Sequence, residues 1–589
     1  MKLTELDLKK TVLLKLVDSG FNITPQSLEF ILNLEKPSES INEIIKEVNF
    51  IPQFNGHITQ EILSKLSNKE IRLALKRIIN AEDFVNRPSL NDSIKIDESP
   101  SSPTKQLVSI SEPLTETKFE SPPAFSPIPF HSIPHPISPL KQKKEKEARI
   151  IPSESTKSSL HYNPIAKDYN FDYKILKDPT GKLFTSGEYE DFYELTIDKF
   201  NTLKNLMKKR PEVLSSTNIS NILRLSSKNE VSVIGLVSNM HRSKNDNFIF
   251  SLEDLTGTIS ILIKNDPENQ ELVKVIKRTI NDQMLYVEGI FNPPEKTNTG
   301  IIFANKISKI DIPTDFEPNK AHHPLNIALI SDTHIGSKEF EEKLLKRFLD
   351  FLNGKIGNKQ VREIAGKVKY LIINGDLVDG IGVYPNQQGD LVISDIYEQY
   401  EMAAAFIRQV PDYIKIFYVS GNHEPVRNAI PRPAVPKQYC KELYDLNVKN
   451  LGNPSLISTH GVKTLIYHGE GMHDMNMMIH GLDINQPVEA MKEFLICRHL
   501  SPIYGEKTQI APTNKDHLVI DNIPDIFHTG HVHINDIGRY RNVTLVNSGC
   551  FQAQTDFMKS FGIEPTPGIV PIIELDTLKS LILDFKKDL

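Results

Sequence analysis

Asp332 and His334 stand two positions apart in Ser331-Asp332-Thr333-His334, directly after the apolar stretch 325–330. A carboxylate and an imidazole at that spacing can serve one cation, because the period of a strand is two and both side chains then point the same way. A single Asp-x-His pair arises readily by chance. This chain repeats the arrangement. Asn374-Gly375-Asp376-Leu377-Val378-Asp379-Gly380 follows the strand-like stretch 370–373, and Gly421-Asn422-His423-Glu424 follows 416–419. His468-Gly469 follows 464–467, and Gly530-His531-Val532-His533 follows 526–528. Each time an apolar run ends in a short loop that carries Asp, His or Asn.

Such a donor set suits hydrolysis at two cations. That chemistry needs cations about 3.5–4 Å apart, a bridging carboxylate, and open positions for water and phosphate oxygens. Asp332 and His334, closed by His533, would hold the first cation. Asp376 would bridge, and Asn422, His468 and His531 would hold the second. Mixed imidazole, carboxylate and amide donors fit Mn, Fe, Zn or Ni better than Ca or Mg alone. His423, next to Asn422, is placed to protonate a leaving oxygen or stabilise the transition state, with Glu424 orienting it. Taken singly, each residue has a plainer reading. A lone His is more often structural, and an Asn in Gly-Asn-His is often turn chemistry. The ordered set outweighs those readings. His499 competes with His468 for one position, and the strand-terminal place of His468 favours it.

The elements that must position these residues are strands alternating with helices over 322–589, with helices expected at 339–352 and 397–410, an α/β pattern. Upstream, strands are expected at 231–237, 247–252 and 257–263, a helix at 272–280, and strands at 284–290 and 301–305. Three strands, a helix and two strands is the order of an OB-fold barrel. OB-folds often bind single strands through aromatic side chains; Phe248 and Phe250 read rather as core. Residues 188–210 read as a helix. Residues 1–75 read as short helices, with Thr24-Pro25 opening one. Ser40 and Glu43 fit a capping box before the one-faced set Ile41, Ile44, Ile45 and Val48. Between them, 87–159 is rich in Pro and Ser and carries a charged run at 141–149. It cannot bury enough apolar surface to offset chain entropy, and reads as a solvated tether rather than a DNA contact. The expected order is a small helical domain (1–80), a disordered Pro/Ser-rich linker (81–160), a helical connector (161–215), an OB-fold β-barrel (216–318) and an α/β domain (319–589). The fold class is multidomain α+β.

A chain of 589 residues is too long for one core. Its net charge of −6 argues that it does not by itself neutralise a long run of phosphates. The 3 cysteines, Cys440, Cys497 and Cys550, lack the spacing of a disulfide framework or a Cys-type zinc site. No apolar run reaches the roughly eighteen residues of a membrane span, and Glu5 and Asp7 come too early for a signal peptide. The expectation is a cytoplasmic protein with no membrane partner.

The motifs Asp-x-His, Gly-Asp-x-x-Asp, Gly-Asn-His-Glu, His-Gly and Gly-His-x-His resemble those of the calcineurin-like metallophosphoesterases. An OB-fold directly before such a domain resembles the B subunits of replicative DNA polymerases. The stretches 395–401, 498–505, 527–533, 546–557 and 565–571 narrow the resemblance to the small subunits of archaeal D-family DNA polymerases, over 216–589. The resemblance implies a two-sheet sandwich flanked by helices, and a 3′→5′ exodeoxyribonuclease that proofreads single-stranded or mispaired 3′ ends. It implies manganese as the favoured pair of divalent ions, magnesium for the polymerase complex, and a heterodimer with a large catalytic subunit. DNA and, through the complex, a sliding clamp and other replication factors complete the expected partners, in a nucleoid-associated setting. Nucleotide addition would belong to the complex. Eukaryotic B subunits have lost metal ligands; here every position is filled, which favours a working nuclease over an idle scaffold. A stand-alone metallophosphoesterase would need neither the OB-fold nor the helical start.

Overall fold

The computed structural model describes residues 162–589 apart from 214 and 295–299, together with parts of 12–71. The chain divides into two units, Met1–Pro136 and Ile137–Leu589.

In the first unit, helices Pro25–Leu32, Pro37–Val48 and Gln60–Ser64 accompany two short parallel strands, β1 (Asn22–Ile23) and β2 (His57–Ile58). Ile41, Ile44 and Val48 are buried against Ile31 and Leu63, and Ile45 is half-buried beside them. Pro25 and Pro37 both open their helices, where a missing N–H costs nothing. The expected capping box does not form. Ser40 lies one turn inside its helix and donates its backbone N–H to Lys36 O at 2.9 Å. A proline three residues earlier starts the helix before the serine can cap it. Thr24 and the linker 81–160 lie outside the described residues.

The second unit begins with a strand that the sequence reading placed in a helical connector. β3 (Tyr173–Lys177) pairs antiparallel with a strand far along the chain, described below. Its alternation, with Tyr173 and Ile175 packed on the core between two sheets, is a strand's period and not a helix's. The same connector also holds the 19-residue helix Tyr189–Met207.

Next comes a closed barrel. β4 (Asn229–Arg242), β5 (Phe248–Asp254), β6 (Gly257–Ile263), β7 (Met284–Asn292) and β8 (Ile301–Lys309) close in the order β4-β5-β6-β8-β7. The helix Gln270–Lys277 lies between β6 and β7. Phe248 and Phe250 are buried in the barrel core with Val233, Ile261 and Phe291, as the core reading had them. Phe200, Leu203 and Met207 of the long helix pack on Met284 and Tyr286 of the barrel and on Val519 beyond it. Arg278, at the end of the barrel helix, pairs with the buried Glu493 at 2.6 Å.

The rest is a sandwich of two mixed six-stranded sheets. One has the order β12-β11-β10-β9-β18-β19, built from β9 (Asn326–Ile330), β10 (Val368–Asn374), β11 (Lys415–Val419), β12 (Val448–Leu451), β18 (Ile569–Glu574) and β19 (Ser580–Asp584). The other has the order β16-β17-β15-β14-β13-β3, built from β13 (Ser455–Thr459), β14 (Val462–Ile466), β15 (Ile526–Thr529), β16 (Asp536–Tyr540), β17 (Val543–Asn547) and the edge strand β3. Alternate residues face opposite ways. Leu329, Ile372 and Phe417 meet Ile457, Ile466 and Ile526 between the sheets. Ile330, Ile373 and Tyr418 face out, under the helices Glu342–Leu352 and Ile396–Ile407. Leu465 and Phe527 face the helix Pro487–Cys497 on the other side. Strands buried on both faces must be apolar throughout, which is why β9, β10 and β11 read as continuous runs.

β9, β10, β11 and β12 run parallel, and so do β14, β15 and β17. Their carboxyl ends carry the loops in question, the usual place for a site in such a sheet. Among the described residues, no helix is long and apolar enough to cross a membrane.

Candidate metal centre

Two residues past the end of β9, the chain does not continue as a strand. Asp332 and His334 take φ of 51° and 50°, in the left-handed region. The period-2 argument for their pointing together therefore does not apply. They converge because the loop pairs with the one after β10: Asp332 N bonds Gly375 O at 3.0 Å, His334 N bonds Asp376 O at 3.0 Å, and Ile335 N bonds Leu377 O at 3.1 Å. Asp376, His531 and His533 are left-handed too, at 50°, 70° and 62°. A non-glycine residue there costs on the order of 1–2 kcal/mol, and persists only where its surroundings enforce it.

Glycines make room for this crowding. A Cβ at Gly421 would overlap Asp376 Oδ1, and a Cβ at Gly530 would overlap Ser331 Oγ.

The loops bring the expected donors together. Asp332, His334 and His533 offer atoms within 4.8 Å of one another; so do Asp376, His468 and His531, and so do His334, Asp376 and His423. Asp376 joins two of these groups. His468 Nε2 is 3.2 Å from Asp376 Oδ2, and 3.1 Å from Asn422 Oδ1. His334 Nε2 and His533 Nε2 face each other at 3.1 Å, and His533 Nε2 lies 3.5 Å from Asp332 Oδ1. His423 Nε2 is 3.9 Å from Asp376 Oδ2.

Ring orientation is fixed from behind. The Asn374 carbonyl accepts from His468 Nδ1 at 2.8 Å, and Asp379 Oδ1 accepts from His334 Nδ1 at 2.9 Å. Each bond puts the proton on Nδ1 and turns the Nε2 lone pair to the centre. Asp379 O does the same for His423 Nδ1, at 2.7 Å. Asp379 is itself held by Gln387 Nε2 at 3.0 Å.

Burial holds His531 and His533 well below the ordinary histidine value, with the neighbouring positive rings adding to it. Both rings are therefore neutral and free to donate a lone pair. Burial works against protonation of His468 too, but the Asp376 carboxylate outweighs it and pushes the ring up to about 9. Burial pushes the Asp332 carboxyl up to about 6. Burial also works against ionising Asp376, but the surrounding histidines outweigh it and hold the group well below its usual range. A buried carboxylate field that draws a proton onto His468 would be met as well by a divalent cation. With its Nδ1 proton given to Asp379, a neutral His334 can meet His533 Nε2 at 3.1 Å only as an acceptor, and His533 Nδ1 is buried without a partner. A cation would take the lone pairs of both Nε2 atoms. The donor set thus fits metal.

One expectation needs correction. Glu424 does not orient His423. Its carboxylate accepts from the backbone N–H groups of Asp376, Leu377 and Gly421 and from the Tyr418 hydroxyl. It pins the Asp376 loop, and Asp379 orients His423. His499, the alternative to His468, lies elsewhere: its Nε2 bonds Asp516 Oδ2 at 2.9 Å and its Nδ1 accepts from Ser501 N at 3.0 Å, so both nitrogens are spent. Asp379 is the residue that site selection missed, although the second Asp of Gly-Asp-x-x-Asp was the signal for it. Asn374 carried no signal beyond its place at a strand end.

Residues 325–535 match the family described as calcineurin-like phosphoesterase. Over 419 residues, 71% of this chain and 84% of the relative, the chain is 40% identical to a DNA polymerase II small subunit from Methanothermobacter thermautotrophicus. It is 39% identical to one from Pyrococcus furiosus, over 72% of this chain and 70% of that one. A third, from Pyrococcus horikoshii, is 37% identical over 78% and 75%.

Proposed function

The chain belongs to the family of archaeal DNA polymerase II small subunits, and from that premise we propose that its metallophosphoesterase domain is a 3′→5′ exonuclease that removes single-stranded or mispaired DNA ends. The observation that supports this reading is the convergence on Asp376 of donors from both sheets.

In this reading Asp332, His334 and His533 would hold one divalent cation, Asn422, His468 and His531 would hold the other, and Asp376 would serve both. Manganese suits the set best, with Fe, Zn or Ni as the alternatives. When bound, the cations supply a water of lowered pKa and polarise the phosphate. The chain's own residues do the rest. His423, its Nδ1–H committed to the Asp379 carbonyl, would protonate the leaving 3′ oxygen from Nε2 only as the imidazolium, which burial disfavours and the Asp376 carboxylate favours. Asp379 and Asn374 keep His334 and His468 aimed, and Glu424 keeps the Asp376 loop in place.

The partner is a large catalytic subunit, and polymerisation, with magnesium, is a property of the complex. The barrel is read as an OB-fold that docks protein before DNA. Residues 1–80 are read as a helical module on a tether, free to meet a sliding clamp or other replication factors.

The test is digestion of 5′-labelled single-stranded DNA by the chain purified with and without a large subunit. Manganese-dependent loss of 3′ nucleotides, stopped by a chelator, is expected. Equal digestion by Asp376→Ala would overturn the reading.

A further inference from the structure

Phe557 lies 60% exposed on the short helix Asp556–Ser560, which Thr555 anchors by accepting from Met558 N. Its ring is 4.7 Å from that of Phe561, itself 58% exposed. Two large apolar rings left in water beside a buried polar cluster ask for an occupant. Phe557, Met558 and Ile563 line a cavity of about 260 Å³ together with Tyr384, and the same cavity reaches His334 and Asp376 of the centre. Tyr384 sits against His423, with ring centroids 6.4 Å apart. A neighbouring cavity of about 210 Å³ also reaches Asn422 and His531, but Arg432, Glu470 and Lys507 line it. The centre thus opens to an aromatic side and a charged side.

Resting on the nuclease reading above, we infer that the aromatic cavity is a slot for the unpaired base of the 3′-terminal nucleotide, while its 5′ phosphate lies at the centre. A ligand that meets an anion-binding cluster at one end and flat apolar rings at the other has the chemistry of a nucleotide. Every base has a π face, so such a slot accepts all four without reading sequence. A cavity of about 260 Å³ has room for one ring system. A base whose face stacks in it has left its partner, and a mispaired base is unpaired at less cost. On hydrolysis the water oxygen bonds to phosphorus and the bond from phosphorus to the preceding 3′ oxygen breaks. That oxygen takes a proton, and the terminal nucleotide leaves as a 5′-monophosphate.

The experiment uses the full chain with its large subunit and Mn²⁺. Two single-stranded oligonucleotides are compared, one ending in an ordinary nucleotide and one in an abasic residue. Stacking is worth about 1–3 kcal/mol per base, so the base-bearing end should be cut roughly fivefold to a hundredfold faster. In Phe557→Ala that ratio should collapse towards one, and Phe557→Tyr should restore it. A ratio unchanged in Phe557→Ala, or no base preference in the wild type, would overturn the slot. A second measurement needs no hydrolysis: the fluorescence of 2-aminopurine at the 3′ end, with Ca²⁺ in place of Mn²⁺, should be quenched by the wild type and not by Phe557→Ala. Quenching that is absent from the wild type, or that survives in the variant, overturns the slot. Quenching lost in the variant, with no cleavage by the wild type, would sink the nuclease reading and leave the slot standing.

Discussion

Asn374 and His468 hold each other from opposite sheets. The Asn374 carbonyl accepts from His468 Nδ1 at 2.8 Å, while the Asn374 amide donates to the carbonyl of Tyr467, the residue before His468, at 2.9 Å. The same amide donates to His528 O at 3.2 Å. One side chain at the end of β10 thereby joins the ends of β14 and β15.

Replacing it should be felt in both stability and metal content. Asn374→Ala takes the donor from the buried Tyr467 carbonyl, at about 1–3 kcal/mol for an unsatisfied group, while His528 O keeps the bond from Tyr467 N. The thermal midpoint should fall, and metal bound per chain should drop because the ends of β14 and β15 lose their brace. Unchanged metal content by elemental analysis would show that the backbone bond to His468 Nδ1 suffices alone.

Asp376→Ala should empty both positions while the fold survives, because this carboxylate belongs to two of the donor groups. Elemental analysis and circular dichroism of the purified variant are the check. Two metals retained with full activity would end its bridging role.

His423→Ala should cut turnover by roughly 10²–10⁴-fold, the usual worth of a positioned acid or base. Metal content should barely change. Loss of metal instead would make His423 a ligand, which its place in a donor group with His334 and Asp376 would permit.

His528 should make the fold sensitive to acid. Burial, with a charged His468 nearby, drives its ring down to about 3, and its Nε2 faces Ser548 Oγ at 3.0 Å. An unfolded histidine takes its proton near 6.5. The unfolded chain then binds the proton first, so this contribution is complete above about pH 6.5 and is lost as pH falls towards 3. His528→Asn should show a shallower loss of thermal midpoint between pH 6.5 and 4 than the wild type. Parallel curves would refute it.

A chain beginning at residue 161 should still bind its large subunit and keep the proposed nuclease activity. Tyr162, whose hydroxyl bonds Leu352 O at 3.0 Å, would be retained. Size-exclusion chromatography of the co-expressed pair is the measurement, and loss of the heterodimer on truncation would contradict it.

The legible parts of this chain were those where a single physical demand governs the residues. β9, β10 and β11 must be apolar on both faces, so they announced themselves, and the donors stood just past their ends. Local backbone conformation was not legible. Asp332 and His334 look like the end of a strand in the sequence, yet pairing with the 375–377 loop turns both left-handed. Glu424 looked like a partner for its neighbour His423 because adjacency is all a sequence offers; its true partners, Asp376 N and Leu377 N, are brought to it by the parallel packing of β10 and β11. β3 was hidden because its pairing partner lies far along the chain. Ser40 and Glu43 have the spacing of a capping box, but Pro37 opens the helix three residues earlier.

The donors of the centre come four from one sheet and three from the other, and this would make the proposed hydrolysis a gauge of alignment. Asp332, His334, Asp376 and Asn422 ride on the ends of β9, β10 and β11, whereas His468, His531 and His533 ride on β14 and β15. Nε2 atoms that meet at 3.1 Å tolerate very little sliding of one layer over the other. Apolar side chains between the layers tolerate far more, since their attraction has no direction. Gentle warming or mild denaturant should therefore silence cleavage while the far-ultraviolet spectrum is still that of the intact sandwich, and cations should move the two transitions back together by clasping the layers.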